Sequence, residues 1–173
     1  MNTPASPIPA VTFPFKHILF CTDFSAGADH AFETALQLAL LSPETQLTLL
    51  HVIPETEAQF WKSYIYEVDR VDAIAQHDIH AKIKASYLSR LPPGRHMKVE
   101  LRIGQAAEKT VALAAEKGVD LIVVGREGNG RLTEALFGRT AEKIVRKAQC
   151  PVLVIPHRRP SKERESPPIP GTI

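Results

Sequence analysis

The sequence predicts an α/β fold: a doubly wound, five-stranded parallel sheet with helices on both faces. Short apolar segments alternate along the chain with longer segments whose small and apolar residues recur at helical spacing. The apolar segments are continuous rather than alternating, which is typical of strands that are covered on both sides. Because crossovers between parallel strands are right-handed, a doubly wound sheet is the simplest arrangement of these elements.

The first half of the chain contains two predicted strands and two predicted helical stretches. Residues 17–21 form an apolar, β-rich strand, and alanines then recur at helical spacing after Ser25, a candidate N-cap. Residues 47–53 form the second strand, which Pro54 ends. A long, mostly helical stretch is predicted over residues 57–90.

The second half continues the same alternation. Three further strands are predicted, over residues 99–103, 121–124 and 152–155. A helix that Gly118 ends lies between the first two of them, and a helix over residues 140–148 leads to the last. In such sheets ligands bind beyond the carboxyl ends of the strands, which places the informative residues after Cys21, Val52, Ile103 and Val124.

Proline and charge divide the 173 residues into a body and two tails. Four of the 14 prolines lie in residues 1–14 and four in residues 157–173, so we predict a single domain over residues 15–156 with a mobile tail at either end. The net charge of +2 comes entirely from residues 157–173. A neutral body argues against a protein built to bind nucleic acid.

The sequence also argues against several other classes of protein. No apolar run reaches the roughly 18 residues of a membrane span, and the amino-terminal segment does not have the pattern of a secretory signal. Two distant cysteines, Cys21 and Cys150, make no disulfide framework, which favours the cytoplasm. Motifs of hydrolase elbows, zinc proteases and redox pairs are missing from the sequence, so no catalytic nucleophile is predicted.

The strongest local signal is a glycine-rich turn after the fourth strand. Glycines stand at positions 125, 128 and 130, and arginines at 126, 131 and 139. A strand-to-helix turn of this kind presents backbone N–H groups, and the arginines add charge that suits a phosphate. A turn whose glycines only permit sharp bends is the alternative. Gly125 and Gly130 have the spacing of a P-loop, but that motif is excluded because Arg131 and Leu132 replace its lysine and hydroxyl residue.

Four segments in order resemble the universal stress protein family: residues 18–25, 49–53, 125–140 and 141–154. The third resembles the family's nucleotide-binding pattern, in which glycine, two residues, glycine, nine residues and glycine precede Ser or Thr. The glycines of that pattern correspond to Gly125, Gly128 and Gly138. The resemblance covers nearly all of residues 15–156 and implies a five-stranded, Rossmann-like sheet of the adenine nucleotide alpha hydrolase-like type.

The resemblance also implies an ATP site and a role for particular residues. Asp23 would contact the nucleoside and the Val52 backbone the adenine, whereas the glycine turn would hold ribose and phosphates. The residues carried over are Cys21, Thr22, Asp23, Val52, Gly125, Gly128, Gly138, Arg139 and Thr140. Asp23 has an alternative role as a helix cap, in competition with Ser25.

Two positions depart from the family pattern. Arg139 stands where Ser or Thr is expected, and the hydroxyl follows at Thr140. Arg139 would pair with phosphates, fill the pocket or point away, and Thr140 is also a candidate helix cap. Cys21 stands where the family often has proline, so its thiol is either a redox handle near the nucleotide or, as we favour, an inert buried side chain.

These observations predict a cytoplasmic, ATP-binding stress-response regulator. The resemblance implies a homodimer through the last strand, Val152, Leu153, Val154 and Ile155. Two alternatives stay open: slow ATP hydrolysis at the same site, which would need Mg²⁺, and a dimeric interaction protein that binds no nucleotide.

Two further groups of side chains are candidates for a functional role. His77 and His80 share a helix face, but a solvated face is favoured over a metal site because no third ligand is evident. Phe60, Trp61, Tyr64 and Tyr66 would form a hydrophobic cap or partner surface, with a lid over a bound base as the less favoured reading.

Overall fold

The sheet has five parallel strands, as the sequence predicts. The computed structural model describes residues 13–58, 68–126 and 138–156. The elements in chain order are β1 (His17–Thr22), α1 (Ala26–Leu40), β2 (Gln46–Ile53), α2 (Val68–Ser86), a 3₁₀ turn (Leu88–Arg90), β3 (Met97–Ile103), α3 (Ala106–Lys117), β4 (Leu121–Gly125), α4 (Arg139–Lys147) and β5 (Val152–Ile155).

The strand order places a switch point in the middle of the sheet. The order is β3-β2-β1-β4-β5, and every neighbouring pair is parallel. The chain moves outward in one direction from β1 to β3, then returns to the other side of β1 for β4. This is the doubly wound, Rossmann-like topology, in which ligands usually bind at the carboxyl edge near the switch in strand order, here between β1 and β4.

Two apolar cores cover the two faces of the sheet. Alternate residues of β1 point to opposite faces, so Phe20 packs with Phe32 of α1 and with Tyr87, whereas Leu19 packs with Leu113 of α3 and Ile144 of α4. All of these side chains are almost completely buried. The predicted covering of both faces is therefore confirmed.

The helices begin and end where their sequences allow. Ser25 is the N-cap of α1, and its hydroxyl accepts the N–H of Ala28 at 3.2 Å. Gly118 ends α3 with a left-handed backbone, φ +61°. The helical stretch predicted over 57–90 ends earlier in the structure, because Tyr87 leaves helical geometry and a separate 3₁₀ turn follows.

Other predictions concern the ends of the chain and the membrane. Most of the two predicted tails lies outside the described residues, but Phe13 packs against the core, with its ring centroid 5.5 Å from that of Phe15. Within the described ranges, no helix combines the length and the apolar character that crossing a bilayer requires.

Candidate functional site

The turn after β1 is held by a series of side-chain hydrogen bonds. The Thr22 hydroxyl accepts the N–H of Phe24 at 2.9 Å, and the Asp23 carboxylate accepts the N–H of Ser25 at 3.0 Å. Ser25 then caps α1. The alternative that Asp23 caps α1 is therefore wrong, because Ser25 is the helix cap; Asp23 instead accepts the backbone N–H of that capping residue.

Gly125 lies at the end of β4, directly against the first turn of α1. A Cβ at this position would stand 2.8 Å from the carbonyl carbon and oxygen of Gly27 and 3.1 Å from the nitrogen of Ala28. Glycine is therefore required for packing, because a side chain here would push the start of α1 away from β4. This close approach also places the amino end of α1 beside the end of β4, at the switch point.

The start of α4 is joined to the end of β4 across the glycine-rich turn. The N–H of Gly138 donates to the Arg126 carbonyl at 2.9 Å, and the N–H of Arg126 donates to the Ile155 carbonyl at 2.7 Å. Gly138 is the N-cap of α4, so the alternative that Thr140 caps this helix is wrong. Arg139 and Thr140 are its first two residues, and both are exposed. Gly128 and Gly130 lie outside the described residues.

A cleft of about 360 Å³ opens beside the ends of β2 and β3. Its lining includes the predicted residue Val52 and residues of the two informative segments after β2 and β3 that the sequence did not single out: Pro54, Glu55, Thr56, Gly104, Gln105 and Ala106. The volume falls within the range of small-molecule sites. Gly104 was recognisable as a glycine directly after a predicted strand, with φ +137° in the structure and Lys109 folded across it.

Cys21 belongs to the core of the α3 side rather than to a reactive site. Its Sγ lies 3.7 Å from the Thr110 hydroxyl, and burial raises the pKa of the thiol to about 12 although the hydroxyl contact opposes the shift. A thiol with this pKa is almost wholly protonated at neutral pH and is a poor nucleophile. The structure therefore agrees with the inert cysteine that the sequence favours.

The remaining candidates from the sequence are two histidines and four aromatic residues. His77 and His80 are exposed on α2, and no cluster of three His, Cys, Asp or Glu side chains in the described ranges could hold a metal ion. The aromatic residues at 60, 61, 64 and 66 lie outside those ranges.

Fold and site together define a Rossmann-like α/β protein whose strand order switches between β1 and β4, beside the starts of α1 and α4. Comparison with known sequences gives the family. The pattern of the universal stress protein family matches residues 14–156, and the chain belongs to that family.

Three relatives indicate how close the likeness is. Universal stress protein MJ0577 of Methanocaldococcus jannaschii is 30% identical over 156 residues, which cover 82% of this chain and 94% of the relative. The solved structure of MJ0577 superposes with a TM-score of 0.67 over 84% of this chain and 98% of the other. Universal stress protein UspA from Lactobacillus plantarum, 25% identical, gives 0.63 over 82% and 97%. A universal stress protein solved in complex with cAMP gives 0.53 at 20% identity over 83% and 98%, and that likeness shows the fold alone.

Proposed function

We propose that the protein is a cytoplasmic, homodimeric stress-response regulator that binds ATP or a related adenine nucleotide at the carboxyl edge of its sheet. The observation that carries this proposal is the switch point. The chain leaves β1 for one face of the sheet and β4 for the other, as the packing of α1 and α4 in different cores shows. Crevices of this kind are the usual ligand sites of doubly wound sheets.

The groups around the crevice suit the parts of a nucleotide. Asp23 offers carboxylate oxygens that can accept hydrogen bonds from ribose hydroxyls. The cleft beside Val52 has apolar walls, including Pro54 and Ala106, that suit a planar base. The amino end of α4 supplies backbone N–H groups and the positive end of a helix dipole for phosphates.

The position of Arg139 favours a phosphate-binding site over a protein that binds no nucleotide. The residue stands at the first position of α4 and is exposed. An exposed guanidinium at a helix amino end can pair with phosphate oxygens as they bind. We therefore favour a site in which Arg139 takes the place of the missing hydroxyl, with Thr140 beside it.

The two edges of the sheet support a dimer through β5. β3 carries Lys98, Glu100 and Arg102, and the carboxylate of Glu100 pairs with Arg102 at 2.8 Å. Charges of this kind blunt an edge strand against pairing. β5 is the other edge and consists of Val152, Leu153, Val154 and Ile155. An apolar edge of this kind can pair antiparallel with its copy across a two-fold axis.

Calorimetric titration with ATP, ADP, AMP and cAMP tests the proposal. We expect saturable binding of at least one adenine nucleotide. Asp23→Ala should weaken it about tenfold, the value of roughly one charge-assisted hydrogen bond. Asp23→Asn is the matched control. It keeps an oxygen that can accept the Ser25 N–H, so it removes the charge of the side chain without removing the turn.

Three outcomes would distinguish this proposal from a protein that binds no nucleotide, a slow ATP hydrolase and a monomer. No heat and no thermal shift at millimolar concentrations of all four nucleotides would leave a scaffold that binds none. Release of phosphate from ATP that disappears in Asp23→Ala would show slow hydrolysis at the same site. Sedimentation as a monomer at micromolar concentration would contradict the dimer.

A further inference from the structure

Phe24, next to the proposed site residue Asp23, has an unusual backbone conformation. It is the only non-glycine residue in the described ranges whose φ lies in the left-handed region, at +60°. A bulky residue rarely adopts this conformation, because its Cβ approaches the following carbonyl oxygen. Such a conformation persists only where the surroundings over-determine it. Phe24 directly follows Asp23, on which the proposed function depends.

Three side chains hold the Phe24 ring in place. Its centroid lies 4.6 Å from that of His51 and 6.0 Å from that of Tyr87, to which it is nearly parallel at 20°. The Lys82 ammonium lies 4.3 Å from the same centroid, at the distance of a cation–π contact. Because Lys82 belongs to α2 and His51 to β2, the ring is fixed by elements distant in sequence.

The neighbours of the ring are themselves fixed to the end of β1. His51 donates from Nδ1 to the Thr22 carbonyl at 2.9 Å, and the Tyr87 hydroxyl lies 2.6 Å from that of Thr22. Tyr87 is completely buried. The same Thr22 hydroxyl accepts the Phe24 N–H. Ring and backbone of Phe24 are therefore fixed to one group of side chains.

We infer that Phe24 is a positioning residue for nucleotide binding: its clamped ring holds the left-handed backbone that presents the Asp23 carboxylate to the crevice. The inference deepens the proposed function and rests on it. If the clamp is lost, the backbone relaxes toward ordinary φ and Asp23 loses both its direction and its bond to the Ser25 N–H.

A pair of variants separates the backbone from the lost packing. Phe24→Ala and Phe24→Gly both remove the ring, but only glycine adopts positive φ without a Cβ penalty. We expect Phe24→Ala to weaken nucleotide binding about tenfold and Phe24→Gly to stay within about threefold of the wild type. Leu47→Ala is the control for a disturbed core, since Leu47 is buried in the same core but lies at the amino end of β2, at the opposite end of the strand from His51. It should lower stability and leave the affinity unchanged.

A double-mutant cycle identifies Asp23 as the target. In the Asp23→Ala background, Phe24→Ala should cause no further loss of affinity, because the group that it positions is already absent. Additive losses would overturn the inference, as would equal affinities of the Phe24→Ala and Phe24→Gly variants.

Hydrogen exchange of the Ser25 amide needs no nucleotide and tests the inference independently of the proposed function. The Ser25 amide should exchange with deuterium about tenfold faster in Phe24→Ala than in Phe24→Gly, because its bond to Asp23 opens more often. If wild-type protein binds no nucleotide, the proposed function fails, and the Ser25 amide still decides whether Phe24 holds the turn. Equal exchange in the two variants would contradict that role.

Discussion

The two ends of the sheet are built in different ways. At the amino end, the Asp120 carboxylate, directly before β4, accepts the N–H groups of Lys16 and His17 at 2.9 and 3.1 Å and so joins the starts of β1 and β4. At the carboxyl end, the same two strands meet through Gly125, which has no side chain, and a turn that contains the strained Phe24.

Arg95 extends the polar network of the amino end. Its guanidinium donates to the carbonyls of Ala39, Pro43 and Ser42, at 3.0 Å for Pro43 and 3.3 Å for Ser42. These carbonyls belong to the last turn of α1 and the loop that leads to β2, where helices leave acceptors without intrahelical partners. One side chain thus satisfies several of them.

The difference separates stability from binding. At the amino end, side chains join the starts of neighbouring strands to one another. At the carboxyl end, β1 and β4 meet through a glycine, and the side-chain hydrogen bonds there hold a left-handed turn beside the proposed nucleotide site. Variants at the amino end should therefore change the free energy of unfolding and leave nucleotide affinity alone. Variants at the carboxyl end should change affinity.

Gly125→Ala is the strongest challenge to this separation, because a glycine of the proposed nucleotide site also packs the fold. The new Cβ would meet the backbone of α1 at 2.8 Å, and backbone cannot turn aside. We expect a loss of about 3 kcal/mol in unfolding free energy together with loss of nucleotide binding. Urea denaturation and calorimetry measure the two effects.

Gly94→Ala is the matched control for Gly125→Ala. Nothing lies within 4 Å of its Cβ position, and only its φ of +79° opposes a side chain. Its cost should be about 1 kcal/mol with normal affinity. Equal stability losses at the two glycines would show that the contact with α1 is unimportant.

Arg95→Met should lower the free energy of unfolding by about 2 kcal/mol, because carbonyls at the end of α1 lose a charged donor. Nucleotide affinity should not change. Arg95→Lys keeps the charge but not the planar fork, so it should recover less than half of the loss. Weakened nucleotide binding in either variant would mean that the two ends are coupled.

His17 gives the smallest effect, a pH dependence of stability. Burial lowers the pKa of its ring below 6.5, and hydrogen bonding to the Lys117 carbonyl only partly opposes this. The folded protein therefore takes up this proton less readily than the unfolded chain. Stability is retained above pH 6.5 and falls as the pH drops toward the folded-state pKa, by up to about 1.4 kcal/mol per unit.

The control for that pH dependence is His17→Gln, which does not titrate. Unfolding free energies of both proteins at pH 7.5 and 5.5 give the difference that belongs to this histidine. The wild type should lose more stability than the variant on acidification. A larger loss in the variant would mean that the sign is wrong.

The sequence predicts the strands and most helices because their apolar patterns match the two buried faces directly. It also predicts the Ser25 cap and the carboxyl ends of β1 to β4 as the informative edge of the sheet. The role of Gly125 in packing needs the distance to α1, which lies almost 100 positions earlier in the chain. The strain at Phe24 and the cleft at Gly104 likewise arise from contacts between distant elements, which no local pattern records.

Hydrogen exchange of the wild-type protein with and without saturating ATP tests the central claim most directly. The account predicts slower exchange at the carboxyl end, at the amides around Asp23, Val52 and Gly138, and unchanged exchange around His17 and Asp120. Protection confined to the amino end, or no protection in any segment, would contradict a nucleotide site at the switch point.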